Sequence, residues 1–317
     1  MASSSLSITQ FGSYFAGGKR IDVAGQATRS IHFSAQAAIE HDPNGTYWIE
    51  QAYVQFIVPA NAGGRPPVVL VHGGCLTGAM WETTPDGRPG WLDRFLRAGF
   101  PVHLVDGVER GRAGWCALPG VWPETPVARS AQEMWTLYRF GPPEGYPHRQ
   151  AFKGQRHPVA ALDTLLCQHV PRWFSTIPAA AEALVAILDR IGPAVLVSHS
   201  NGGLIALEAA WRRPDLIAGA VLVEPSGFPQ GEPAAKLSGI PFLFMMGDYL
   251  DATPLWQGLA AAMTGLAVRL IQQGARVTDW RLAEMGVHGN SHMLMMDDNS
   301  DDLAARVVGW IETEVLS

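Results

Sequence analysis

The chain has little charge and little cysteine, and each scarcity removes a class of function. Charged residues make up 16% of its 317 positions, the formal net charge is -6 and no Lys/Arg-dense run occurs. Nothing here would draw a polyanion, so nucleic acid is not an expected partner. The 3 cysteines, Cys75, Cys116 and Cys167, are too few and too scattered for a disulfide framework. They lack the CxxC or Cys/His spacing of a zinc site, so neither a metal nor a cofactor is implied. One bridge, Cys116 to Cys167, stays open, and the reducing cytoplasm is the default compartment. No apolar run approaches the roughly 18 residues of a membrane span, and no membrane partner is expected. The opening Met1-Ala-Ser-Ser-Ser-Leu6 lacks the basic and apolar regions of a secretory signal. A chain trimmed at a cleavage site would read the same, which leaves periplasm or secretion as the alternative location.

Hydrophobic residues, by contrast, make up 47% of the chain, ample for a large buried core. From Val68 onward short β-branched runs alternate with helical periodicity, the pattern of parallel strands joined by crossover helices. The runs are 67–72, 101–106, 194–198, 218–224 and 240–245, with a more polar last strand over 277–284. Residues 176–192 read as a helix, with Leu184, Ile187, Leu188 and Ile191 at helical spacing and a terminal glycine, and a second helix follows Asp301. The alternation in 46–58 suits an antiparallel edge on the mainly parallel sheet. Between Asp106 and Thr176 the composition turns rich in Pro, Gly and aromatics, including Trp115, Trp122, Trp135 and Trp173. So long a stretch is implausible as bare loop, and it reads as an inserted, partly helical cap over the carboxyl edge of the sheet. The expected organisation is a core of 1–107 and 177–317 with a cap over 108–176.

Val197-Ser198-His199-Ser200-Asn201-Gly202-Gly203, between a strand and a helix pattern, has the form of a nucleophile elbow. The sharp turn strains its central residue and needs small side chains two before and two after it. Ser198 stands where glycine is commoner, on the packed flank. Leu70-Val-His-Gly-Gly-Cys-Leu-Thr-Gly78 ends an earlier strand and reads as an oxyanion loop. Backbone N–H groups of Gly74 (or Cys75) and of Asn201 would hold the negative oxygen of a tetrahedral intermediate. The missing G-K-[ST] ending excludes a phosphate loop. A serine is a poor nucleophile without a base in reach. Elbow folds run nucleophile, acid, histidine in chain order, leaving His288 and His292, both in the loop Gly286-Val-His-Gly-Asn-Ser-His-Met293. His292 is preferred, because it lies farther from the strand end and precedes an apolar run. For the acid, Glu224 and Asp248 compete, with Asp251 a weaker third. Asp248 follows the strand on which this acid is commoner, whereas Glu224 ends a buried strand, where a carboxylate is costly without a partner. Asp106 reads as a structural turn acid. Aromatics of an insertion usually form its own small core, though the cap tryptophans could instead line an apolar pocket over Ser200. Met293, Met295 and Met296 read as packing.

Taken together, His72-Gly-Gly-Cys-Leu-Thr-Gly78, the elbow, Val223-Glu-Pro225, Met246-Gly-Asp-Tyr249 and the histidine loop resemble a group of bacterial α/β-hydrolase-fold serine esterases. Their triad is Ser, His and an unusual Glu after strand six. The resemblance covers most of the chain from about Gly12 onward. It implies a mostly parallel central sheet flanked by helices with an inserted cap, and Ser200, Glu224 and His292 as nucleophile, acid and base, with Asp248 the alternative acid. Members of that group carry adjacent oxyanion-loop cysteines joined as a vicinal disulfide. Here Gly74-Cys75 rules that bridge out, so the loop must take its rigidity from elsewhere. The expected reaction is hydrolysis of a small to medium apolar or aromatic carboxylic ester, or of a lactone, through an acyl-enzyme, with no cofactor or metal. Thioester and C–C bond hydrolysis are the enzymatic alternatives, and a ligand-binding protein that has lost turnover is the rival of another class. A homodimer is compatible with all of these.

Overall fold

A computed structural model describes residues 5–230 and 237–317. Among the described residues its main sheet has eight strands in the spatial order Ile8–Val23 (β1), Gly45–Pro59 (β4), Val102–Asp106 (β6), Val68–Val71 (β5), Ala194–His199 (β7), Ile217–Val223 (β8), Pro241–Met246 (β9) and Arg276–Arg281 (β10). From β6 to β10 the pairings are parallel. The strands β5 (Val68–Val71), β6 (Val102–Asp106), β7 (Ala194–His199), β8 (Ile217–Val223) and β9 (Pro241–Met246) are buried almost throughout. That is why they read as continuous apolar runs: helices cover both faces of a parallel sheet. Successive side chains go to opposite faces. Val69, Val71 and Leu196 pack with α4 (Ile177–Ile191), α5 (Asn201–Arg212) and α6 (Pro254–Gln272). Val68, Leu70, Val195 and Val197 pack with α1 (Trp91–Arg97) and α7 (Ser300–Glu314). On α4, the apolar Leu184, Ile187 and Leu188 are 2%, 0% and 0% exposed, each worth about 1.5–3 kcal/mol of burial, and Gly192 ends the helix at φ 84. The last strand, β10, spans Arg276–Arg281 and pairs parallel to β9, somewhat shorter than the polar run suggested.

The N-terminal region departs most from the expected layout. Segment 46–58 is antiparallel, within β4 (Gly45–Pro59), but it is not the edge. The edge is β1 (Ile8–Val23), which pairs with β4 along almost its whole length, while β2 (Arg29–Ser34) and β3 (Ala37–His41) form a separate hairpin. Much of β1 and β2 is exposed, so no buried face stamps an alternating pattern on these strands.

The segment between β6 and α4 carries α2 (Ala131–Leu137), α3 (Leu162–Leu166) and 3-10 turns at Pro143–His148 and Val159–Ala161. Its tryptophans pack among themselves and their neighbours: Trp115 and Trp122 lie 4.1 and 5.6 Å from Trp173 by ring centroid, and Trp135 sits beside Phe140 and Tyr146. The three cysteines are free. Among the described residues no helix is long and apolar enough to cross a membrane.

Candidate active site

At the turn between β7 and α5, Ser200 adopts φ 52, ψ -120, a conformation costly for any residue with a Cβ. The turn tolerates only glycine two residues on, because a Cβ at Gly202 would lie 2.6 Å from the carbonyl oxygen of His72. Ser198 is fully buried, with its hydroxyl donating to the Val221 carbonyl at 3.3 Å, so its oxygen does not face the cavity. Ser200 Oγ is hydrogen-bonded to Ser226 Oγ at 3.0 Å. Asn201 opens α5, where the first N–H groups have no acceptor within the helix.

The histidine loop and the end of β8 meet behind this turn. His292 Nδ1 lies 3.1 Å from Glu224 Oε2, with the two side chains 2% and 0% exposed. Glu224 also accepts Arg139 Nη1 and Nη2 at 2.9 and 2.7 Å and the Gly247 amide at 2.5 Å. Burial alone would raise its pKa. The charge of fully buried Arg139 and the hydrogen bond from His292 outweigh that and bring it down to about 2. An ionised Glu224 only accepts, so Nδ1 of His292 must carry the ring proton and Nε2 is left with its lone pair. Burial lowers the pKa of His292, against the pull of Glu224 upward, which favours this neutral form. The ring is boxed by Trp256, His199 and Tyr138, with centroids 4.5, 4.6 and 5.7 Å away, and the His292 carbonyl accepts from His199 Nε2 at 3.0 Å.

Asp248, the alternative acid, is occupied elsewhere. Its carboxylate accepts the amides of Tyr249 at 2.8 Å and Gly289 at 3.0 Å and faces exposed His288 at 3.6 Å. It shapes the entrance of the histidine loop, and His288 lies outside the cavity. Asp251 is exposed. Asp106 accepts from the Gly78 and Arg112 amides at 2.7 and 2.9 Å and pairs with the Arg112 side chain, a turn acid in geometry. Met293, Met295 and Met296 are buried in the core.

The loop at 73–76 is fastened without any disulfide. Arg110 Nη1 donates to the carbonyls of Gly73 at 3.3 Å and Leu76 at 3.4 Å, and the Cys75 carbonyl accepts the Val170 amide at 3.0 Å. A Cβ at Gly74 would lie 2.7 Å from Arg172 Nη1, so side chain and loop share space that only glycine leaves open. Cys75 itself sits at φ 60. Cys75, Arg139, Ser200 and Glu224 all hold positive φ without being glycine, a concentration of backbone strain of the kind found at functional sites.

A cavity of about 260 Å³ joins these parts. Gly74, Cys75, His199, Ser200, Asn201, Ser226 and His292 form its floor, and the segment between β6 and α4 contributes Arg129, Met134, Leu137, Tyr138, Arg172 and Phe174. Leu255, Trp256 and Leu259 of α6 close the other side. Trp115, Trp122, Trp135 and Trp173 do not line it; its tryptophan is Trp256. Arg139, Ser226 and α6 went unrecognised in the sequence. A buried arginine carries no local signature, and only the amphipathic repeat at 254–272 could have marked α6 as an element.

The chain is similar to known proteins over most of its length. A bacterial esterase of known structure superimposes with a TM-score of 0.86 at 32% identity, over 99% of this chain and 98% of that one. A probable secreted lipase, phiG, of a fungus (Fungal sp.) is 28% identical over 85% of this chain and 88% of its own. Lipase LipV of Mycobacterium tuberculosis is 37% identical over 33% of this chain and 40% of its own. Residues 66–264 match the family described as alpha/beta hydrolase fold, and with the strand order and the elbow geometry this places the chain in the α/β-hydrolase family.

Proposed function

We propose that the protein is a serine carboxylic-ester hydrolase in which Ser200 is the nucleophile, His292 the general base and Glu224 the acid that orients it. The likeness to an esterase over nearly the whole chain supports the reaction class. The residue roles rest on one observation above all, the buried Glu224–His292 pair at 3.1 Å opening onto the cavity that holds the strained Ser200. The Ser200 hydroxyl swings from Ser226 to Nε2 of His292 as substrate enters, since catalytic hydrogen bonds often tighten only in the complex. Oγ then bonds to the ester carbon while its proton passes to Nε2. The C–O bond breaks, and the alcohol leaves with that proton. Water, deprotonated by the same nitrogen, attacks the acyl-enzyme and releases the acid. Amides of Asn201 and of Gly74 or Cys75 hold the oxyanion, each worth about a hundredfold or more in rate. Residues 108–176 act as a cap, with α6 as a second wall. The apolar side chains Met134, Leu137, Leu255, Trp256 and Leu259 suit an ester of small to medium apolar body.

The two acids are separable by experiment. Glu224→Ala should cut kcat for 4-nitrophenyl butanoate about a thousandfold or more, as loss of a triad acid does, while Asp248→Ala costs less than about tenfold. The reverse order would move the acid to Asp248. The pH profile is a further check. Only neutral His292 can accept the serine proton, and burial lowers its pKa below the ordinary 6.5. kcat/KM should therefore fall on the acid side with a midpoint under 6.5 and stay level from there through neutrality; a midpoint well above 7 would contradict the environment described.

A further inference from the structure

The cavity is not uniformly apolar. Arg172 lines it yet is only 7% exposed, and of the nitrogens that carry a guanidinium's five N–H donors, Nη1 alone is bonded among the described residues, to Asn201 Oδ1 at 2.7 Å. Its Nε is buried with no partner among the described residues. One face stacks on Phe174, 3.9 Å from the ring centroid. Arg110, 6% exposed, stands behind the oxyanion loop on the same side, and its pKa is lowered to about 10 by burial and then by the charge of Arg172. Neither arginine has a carboxylate within 4.0 Å among the described residues; the ion pairs of the region belong to others, such as Arg129 with Glu133. Arg129, on the cavity wall, adds its repulsion to Arg172. Glu124 pulls the other way on Arg172 and Glu133 pairs with Arg129, but both acids are exposed, where water screens them.

Buried guanidinium without a counter-ion is expensive, and proteins seldom carry it except where an anion completes the site. Arg110 finds compensation in the loop carbonyls it pins. Arg172 does not: most of its donors lie idle beside the nucleophile, across the cavity from the apolar Leu255, Trp256 and Leu259. We propose that the substrate is an ester bearing a carboxylate, whose anionic group binds Arg172 with help from the field of Arg129 while its apolar part lies against Leu255, Trp256 and Leu259. This deepens the ester-hydrolase reading and rests on it. A planar, permanently charged fork facing a carboxylate in a site mostly closed to water is a strong and directional contact.

Matched ester pairs test the idea. In one pair the charge is on the acyl side, mono(4-nitrophenyl) adipate against methyl 4-nitrophenyl adipate. In the other it is on the alcohol side, 3-carboxyphenyl butanoate against 3-(methoxycarbonyl)phenyl butanoate. The wild-type protein should favour the anion by at least about tenfold in kcat/KM in one of the pairs, which also tells the side that Arg172 reads. In Arg172→Gln, and in Arg129→Gln at a site less buried than Arg172, that ratio should drop toward unity. Ratios near unity or below in both wild-type pairs, with Ser200-dependent turnover intact, would overturn the anionic substrate and leave the hydrolase standing. So would a tenfold preference that both variants retain. Should none of the four esters turn over, the hydrolase reading fails instead. The anion site is then judged by calorimetry on the Ser200→Ala protein, where monomethyl adipate should bind at least about tenfold more tightly than dimethyl adipate, and equal binding would overturn it.

Discussion

Ser200→Ala should lower kcat toward activated neutral esters by about four to six orders of magnitude, the loss seen when a triad nucleophile is removed, while the protein melts within a few degrees of wild type. The activity falls because no other hydroxyl can take over. Ser198 is turned into the sheet against the Val221 carbonyl, and Ser226, though 3.0 Å from Ser200 Oγ, does not sit at the strained turn that holds Ser200. Stability holds because alanine meets the same backbone strain at φ 52 and loses one hydrogen bond, worth about 1 kcal/mol. A stopped-flow trace of 4-nitrophenol release with the wild-type enzyme should show a burst equal to the active sites, absent in the variant. Residual turnover within a hundredfold of wild type would remove Ser200 from the mechanism.

Arg139→Met is expected to be the most damaging substitution away from the nucleophile. Glu224 is wholly enclosed, and Arg139 supplies two of its hydrogen bonds together with the countercharge. The same guanidinium donates from Nε to the Asp248 carbonyl at 2.8 Å and lies 4.3 Å over the Trp256 ring, so it ties the acid to the cavity wall. Removing one member of a buried ion pair strands the other, at about 3–5 kcal/mol, a fall in Tm of roughly 4–8 °C for 317 residues at about 2.1 cal/mol/K of unfolding entropy per residue. Glu224 would escape part of that cost by taking up a proton, and a neutral carboxyl holds imidazolium poorly, so activity falls with stability. The double variant Arg139→Met with Glu224→Gln should regain much of the Tm and none of the activity, separating the structural loss from the catalytic one. The pH dependence is linked. Because the folded pKa of Glu224 is about 2, below its ordinary 4.5, its stabilisation is present above pH 4.5 and fades as the pH falls toward 2. That acid slope should be smaller in Arg139→Met. A single variant as stable as wild type, with an unchanged slope, would show that the pair carries no net stability.

How far the sequence could be read depended on whether the signal was local. The elbow was legible because its turn demands small residues at set positions, and the buried parallel strands because enclosure on both faces leaves an apolar run. The edge strand β1 and the β2–β3 hairpin left no such trace, being largely exposed. The acid was the harder case. Glu224 and Asp248 both follow sheet strands, and the general preference of the fold pointed to the one whose carboxylate in fact turns toward the Gly289 amide and away from His292.

By itself, then, the amino-acid order determined the class of fold and the short segments able to carry acyl chemistry, since periodicity and turn stereochemistry act over a few neighbouring residues. Tertiary structure alone decided which carboxylate faces the imidazole, that Arg139 keeps it ionised, that α6 walls the cavity and that Arg172 stands in it with no carboxylate partner among the described residues. Those outcomes come from the packing of segments tens to more than a hundred residues apart, where desolvation and charge depend on what surrounds a side chain and not on what adjoins it in the chain.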